Sequence, residues 1–158
     1  MIILGLDPGS AKTGYGIIEK RLRSKLECIT YGCITTPQSK SNSERLLILE
    51  KGLTAVLKRY QPDVAAVEKL FFFKNLKTVM PVSEARGVLL LTLARHNIPM
   101  HEFTPLQVKM TIAGYGRAEK KQVQRMVKEI LALPEIPKPD DAADGLGLAI
   151  TCSLVHRG

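Results

Sequence analysis

The side chains with the clearest chemical potential are carboxylates at the edges of apolar segments. Asp7 follows the run Ile2 to Leu6, Glu68 follows Val64 to Val67, and Asp141 and Asp144 open the apolar stretch near the end of the sequence. Carboxylates gathered at one point repel, so at least one keeps its proton unless a cation is present. Mg2+ suits such a set, because it is hard, takes oxygen ligands at about 2.0–2.1 Å and keeps some of its waters. Two Mg2+ ions held by Asp and Glu fit phosphodiester hydrolysis: one activates a water, and both steady the attacking and leaving oxygens of an in-line displacement. Zinc is not indicated, since His96, His101 and His156 are scattered and Cys28, Cys33 and Cys152 lack a CxxC spacing. The same cysteines form no disulfide framework and read as free thiols of a reducing compartment.

The elements that must position these acids follow from hydropathy and turn signals. Ile2–Leu6 reads as a buried strand stopped by Asp7-Pro8-Gly9-Ser10, and Gly14–Glu19 and Leu26–Thr35 as two more strands of a meander. A helix is expected over Ser43–Tyr60, capped by Ser41, Asn42 or Ser43 and followed by Pro62. Asp63–Glu68 is a further buried strand, and Phe71–Lys77 a loop or the approach to a helix. Next come a helix over Ser83–Arg95, with Pro81 at its first turn or at a kink, a strand over Ile98–Phe103 and a short helix over Pro105–Ala113. A helix over Ala118–Leu133 is ended by Pro134, Pro137 and Pro139, and a last helix runs from Asp140 to about His156. This order predicts one α/β domain over residues 1–158, a mixed sheet with helices on both faces. Right-handed crossovers make the last two strands parallel to the first. If the Asp7 and Glu68 strands are neighbours, both acids emerge at one sheet end, about 4.8 Å apart.

Taken singly, Asp7 is accounted for as a turn residue before Pro-Gly, and Glu68 as a solvated strand end. The acids opening the last helix change that balance. Asp140 alone serves as an N-cap, and the helix dipole favours acid there. Asp141 and Asp144 are three apart on one face of a helix so apolar that most of its sides are buried. Capping does not account for all three acids.

The net charge of +8 and a pI near 9.5 point towards a polyanionic partner, with nucleic acid first. A hydrophobic share of 45% fills a core at this length and excludes a disordered chain. With neither a signal-peptide pattern nor an apolar run of membrane-span length, the expected location is the cytoplasm.

Several segments together resemble the RuvC family of Holliday-junction resolvases. They are Gly5-Leu6-Asp7-Pro8-Gly9-Ser10 followed by Thr13-Gly14-Tyr15-Gly16; Val67-Glu68 with Phe71, Lys74 and Asn75; Glu84-Ala85-Arg86-Gly87-Val88; Val108-Lys109; Ala118-Glu119-Lys120; and Asp141-Ala142-Ala143-Asp144. Each motif is weak alone, but the collinear set covers nearly the whole chain. The resemblance implies a ribonuclease-H-like fold whose five strands lie in the order 3-2-1-4-5. It implies an obligate homodimer that places symmetric nicks in a four-way DNA junction during recombination and repair. The implied cofactor is Mg2+, two ions per site with Mn2+ able to substitute, and the products are 5′-phosphate and 3′-hydroxyl ends. A branch-migration complex of the RuvA and RuvB type is the implied partner.

By the same resemblance the metal ligands are Asp7, Glu68, Asp141 and Asp144, with Asp140 read as the helix cap. Lys109 and Lys120 match positions near the scissile phosphate, where a cation offsets developing negative charge. Phe71 matches a ring at the junction's unpaired centre, where stacking on a base is worth about 1–3 kcal/mol. Lys74, Arg117 and Lys121 lie in the same motif loops and join Phe71, Lys109 and Lys120 as DNA-binding candidates; Lys12, Lys69 and Lys77 are less placed. The Ser83–Arg95 helix is the expected source of the dimer interface. Gly145 and Gly147 depart from the family's usual Ala, at about 1 kcal/mol each unless close packing requires them.

Three other readings stay open at this point. Asp7-x-Gly9 with Gly14 and Gly16 also resembles the phosphate loop of actin-like and sugar-kinase ATPases, although those need two such domains. A non-catalytic junction-binding protein is the second. A ribonuclease-H-fold nuclease acting on RNA is the third.

Overall fold

Three strands open the chain, β1 (Ile2–Asp7), β2 (Lys12–Lys20) and β3 (Leu26–Thr35), and pair as an antiparallel meander. In this computed structural model, which describes residues 1–22, 25–70 and 76–155, β4 (Val64–Glu68) lies parallel to β1 on its free side. β5 (Met100–Phe103) lies parallel to β4, so the five-stranded sheet runs β3-β2-β1-β4-β5. The helices are α1 (Asn42–Tyr60), α2 (Leu76–Arg95), α3 (Pro105–Ala113), α4 (Lys120–Ile130) and α5 (Asp140–Val155).

Each strand's two-residue period sorts its side chains between two cores. Leu4, Leu6, Ile17, Ala65 and Val67 meet Leu49, Leu53 and Leu57 of α1 and Ala85, Leu89 and Leu93 of α2. On the opposite face Ile3, Ile18, Val64 and Ala66 meet Ile112 of α3, Val127 of α4 and Leu146 and Ile150 of α5. Each fully buried Leu or Ile contributes about 1.5–3 kcal/mol, which makes these two layers the main stabilising term. α5 is buried nearly all round. Its two buried hydroxyls are satisfied locally, Thr151 donating to the Gly147 carbonyl at 2.9 Å and Ser153 to that of Ile150 at 2.6 Å.

Ser41 is the cap of α1: its hydroxyl accepts from the Glu44 amide while the Glu44 carboxylate accepts from the Ser41 amide, a reciprocal capping box. The helix bounds differ from the sequence expectation most in α2 and α4. α2 begins at Leu76, with Pro81 inside it as the sixth residue. A proline there removes one intrahelical hydrogen bond close to the helix start, which leaves the later turns intact. α4 ends at Ile130, before the prolines are reached. Ala132 takes φ 50°, the Leu133 amide donates to the Lys128 carbonyl at 2.9 Å, and the Ala132 amide donates to that of Glu129 at 3.2 Å. That pair of bonds is a Schellman stop built on Ala, which composition does not announce.

Candidate active site

Strand parity decides which acids face α5. Ile3 belongs to the α5 side of β1 and Leu4 and Leu6 to the other, so Asp7 falls on the α5 side. Val64 and Ala66 likewise place Glu68 on that side. Leu6 is in register with Val67 across the parallel pair, so Asp7 and Glu68 are the next residues on neighbouring strands. Their carboxyl groups face one another across the strand ends, close enough for the charge of Glu68 to raise the Asp7 pKa.

Glycines bring α5 down onto this corner. A Cβ on Gly14 would lie 1.9 Å from the Asp141 carbonyl oxygen, and one on Gly5 would lie 1.9 Å from that of Gly145. One on Gly145 would lie 2.7 Å from the Tyr15 carbonyl carbon. The absent side chains at Gly5, Gly14 and Gly145 therefore permit backbone-to-backbone contact between α5 and β1–β2. Gly145, expected to cost helix stability, is instead required by this approach. A Cβ on Gly147 would meet only side-chain ends, those of Ile112 at 3.1 Å, Val108 at 3.5 Å and Val127 at 3.9 Å.

The contact delivers the acids of α5 to Asp7. Carboxylate oxygens of Asp7, Asp141 and Asp144 lie within 4.8 Å of one another. Glu68 stands beside this trio, linked through Asp7. Burial, then the charge of Glu68 and that of Asp144, pushes the Asp7 pKa up to about 9. Burial also raises Glu68 and Asp144, against the opposing effect of Lys120 on each. An acid that holds its proton near neutrality, beside two others also shifted upward, marks a place where positive charge is wanted. The donors are hard oxygens, and the neighbouring Cys33 thiol is kept protonated by its burial and by the charge of Asp141. The set fits a hard divalent cation.

A cleft of about 200 Å³ opens beside the acids, and Glu68, Asp144, Lys109, Lys120, Val108 and Val123 are among its walls. Lys120 Nζ is 3.4 Å from Asp144 Oδ2 and 3.5 Å from Asp140 Oδ2. Burial would lower its pKa, but Asp144 and Asp140 outweigh that and raise it, so Lys120 is a fixed positive charge. Arg117 and Lys121 are exposed on the connection into α4 and at its start, outside the walls of the cleft. Phe71 and Lys74 lie outside the described residues.

Asp140 is not the cap expected of it. It is the first residue of α5, and the Pro139 carbonyl before it accepts the first amides, from Ala142 at 3.0 Å and Ala143 at 3.3 Å. The Asp140 carboxylate turns to α4 instead, accepting from Gln124 Nε2 at 3.1 Å. Two arginines also act where the sequence offered no local signal. Arg86 Nε donates to the Glu68 carbonyl at 3.2 Å while its guanidinium pairs with Glu102, tying the end of β4 to α2 and β5. Arg45 donates to the Ser10 carbonyl at 2.6 Å and to the Thr36 hydroxyl at 3.1 Å, holding the turn after Asp7.

The family model for crossover junction endodeoxyribonuclease RuvC matches residues 3–152. The chain belongs to the RuvC family. A RuvC from Caldicellulosiruptor saccharolyticus is 54% identical over 150 residues, covering 95% of this chain and 90% of the relative. One from Desulforamulus reducens is 55% identical over 150 residues, covering 95% and 91%. Among solved structures, Thermus thermophilus RuvC in complex with Holliday junction substrate superposes with a TM-score of 0.92 at 31% identity, over 98% of this chain and 94% of that one. Thermus thermophilus RuvC is also similar in another solved structure, at TM-score 0.87 and 32% identity, covering 96% and 92%. The ribonuclease-H-like RuvC fold and the strand order 3-2-1-4-5 expected from the sequence are those observed. Membership of RuvC makes the chain a crossover junction endodeoxyribonuclease by class.

Proposed function

We propose that this protein resolves four-way DNA junctions by cutting phosphodiester bonds at the acidic corner of β1, β4 and α5. The observation that carries the reading is the carboxylate trio within 4.8 Å at the mouth of a cleft that Lys109 and Lys120 also line. A protein that only bound junctions would gain nothing from carboxylates set beside phosphates. Membership of RuvC supplies the substrate class, since a relative of 31% identity is solved with Holliday junction substrate.

In this reading Asp7, Glu68, Asp141 and Asp144 hold Mg2+, two ions per site, with Mn2+ able to replace it. Bound there, the ions supply Lewis acidity and a nucleophilic water at neutral pH. The chain's own groups do the rest. Lys109 and Lys120 sit towards the scissile phosphate and offset the charge that develops on its oxygens. A water would lose a proton as its oxygen bonds to phosphorus, in line with the departing O3′, which would leave with the bonding electron pair and take up a proton. The products are a 5′-phosphate and a 3′-hydroxyl. Arg117 and Lys121 extend the basic surface along the DNA backbone, and Lys74 and Phe71 serve the strand exchange point, Phe71 by stacking.

Two coordinated cuts need two sites on one particle, so the working form is a two-fold homodimer. α2 is the proposed interface, because Met80 and Leu91 are large apolar side chains left exposed on it. The chain works as one nuclease domain over residues 1–158 in the cytoplasm, with a branch-migration complex of the RuvA and RuvB type. Among the described residues no helix is long and apolar enough to cross a membrane.

The test is a synthetic four-way junction beside a linear duplex and a structured RNA, each with and without Mg2+. Paired nicks in the junction alone, only with Mg2+, are expected. Binding without cutting in any divalent ion would point to a non-catalytic binder, and preferential RNA cleavage to a ribonuclease.

A further inference from the structure

Asp140 stands outside the carboxylate trio, yet both its oxygens are engaged. Oδ1 accepts from Gln124 Nε2 at 3.1 Å, and Oδ2 faces Lys120 Nζ at 3.5 Å. Lys120 and Gln124 are one turn apart on α4, so a single carboxylate at the start of α5 clasps one face of α4. Gln124 is buried, with its carboxamide directed at Asp140, and this limits the orientations open to that carboxylate. The exposed ammonium of Lys120 is thus held between Asp140 and Asp144, one turn apart on α5.

These two anions are not equivalent. Asp144 belongs to the trio within 4.8 Å, whereas Asp140 does not. A cation bound by the trio competes with Lys120 for the charge of Asp144. Asp140 then remains as the anion beside the ammonium. A lysine side chain released at that moment regains a large rotamer entropy and leaves the cleft for most of the time.

We propose that Asp140 is a positioning residue: it keeps Lys120 Nζ at the rim of the cleft when Asp144 turns its charge to a bound cation. Asp140 touches no reacting atom. Its effect on cutting passes through Lys120. The inference rests on the reading of Lys120 as the cation beside the scissile phosphate, and the experiment separates the two.

The experiment is a double-mutant cycle on single-turnover cutting of a synthetic four-way junction at saturating Mg2+. Junction binding without Mg2+ and thermal melting are measured alongside. Lys120→Ala is expected to slow cutting on the order of 10²-fold, as for loss of a positioned transition-state charge. Asp140→Ala is expected to slow it roughly three- to tenfold, less than the ~10²-fold that a 1 Å misplacement can cost. Junction affinity should not weaken. Asp140→Asn should behave like Asp140→Ala, because Asn can keep a bond to Gln124 but loses the charge that holds Lys120. A role confined to docking α4 on α5 predicts instead that Asn cuts like wild type. In the Lys120→Ala background, Asp140→Ala should produce no further slowing. Equal slowing in both backgrounds, or wild-type cutting by Asp140→Asn, overturns the proposal. Wild-type cutting by Lys120→Ala overturns the assigned role of Lys120, and the proposal with it.

Discussion

Along the β1–β2–α5 seam, backbone meets backbone through Gly5, Gly14 and Gly145. Across the cleft, on α3 and α4, Lys109 and Lys120 reach the site on long side chains. The seam fixes the backbone that carries Asp7, Asp141 and Asp144, because shifting one of these residues means shifting a strand or a helix packed backbone to backbone. The opposite rim is set by weak, partly solvated ion pairs, of the kind worth about 0–1 kcal/mol when exposed. The difference separates two jobs. Ligands of one small hard cation need fixed distances, whereas cations that follow a DNA backbone need reach.

Substitutions on the two sides should therefore differ in size. Asp7→Asn is the largest: cutting should fall on the order of 10³-fold or more, the scale of losing a central electrostatic group, while junction binding persists. Wild-type rates from that variant would remove the assigned role of the seam. Gly14→Ala comes next, although it touches no charge. Its methyl would collide with the Asp141 backbone and shift the start of α5. Overpacking of this kind costs about 1–3 kcal/mol, and displaced ligands should slow cutting roughly 10²-fold. A melting curve and a single-turnover rate check both, and a silent Gly14→Ala would mean the seam is not rigid.

Arg86→Gln probes the other strand of the site. Loss of the bond to the part-buried Glu68 carbonyl, with that to the exposed Glu102, should cost about 1–3 kcal/mol of stability. Cutting should slow only several-fold, since β4 keeps its ladder to β1, and a rise in the Mg2+ concentration needed for half-maximal rate would locate the effect at Glu68.

A further expectation is pH-dependent and is read on the stability of the metal-free protein rather than on cutting. Folding raises the Asp7 pKa from an ordinary 3.8 to about 9. The folded state then binds a proton that the unfolded chain has released, so this group's contribution is fully present below about pH 4 and is lost as pH rises towards 9. With a chelator present, Asp7→Asn should melt above wild type at pH 8 and converge with it near pH 4. Mg2+ should stabilise the wild type more as pH rises. Parallel melting curves for the two proteins across that range would contradict the buried-charge account.

The acids of the seam were legible in sequence because each ends or opens an apolar run, and a two-residue strand period carries Asp7 and Glu68 to one face. What held them was not. Gly145 reads as a weak point in a helix until β1 and β2 are seen against it. Pro81 hides the first turns of α2, and Ala132 ends α4 in a conformation that its composition does not signal. Asp140 reads as a cap because local rules see only its own helix, whereas its partners Gln124 and Lys120 come from another. Arg86 acts on a carbonyl eighteen residues away, for which a sequence carries no periodicity. Lys109 and Lys120 were reached through the family motif, not through spacing.

The central claim is that Asp7, Asp141 and Asp144 surround a divalent cation. Diffraction from crystals grown with Mn2+ tests it directly, through the anomalous signal of the ion. The account predicts a peak enclosed by the carboxylate oxygens of those three residues, with Glu68 beside it. A saturating Mn2+ soak that leaves this corner empty, or places the ion elsewhere, would contradict it.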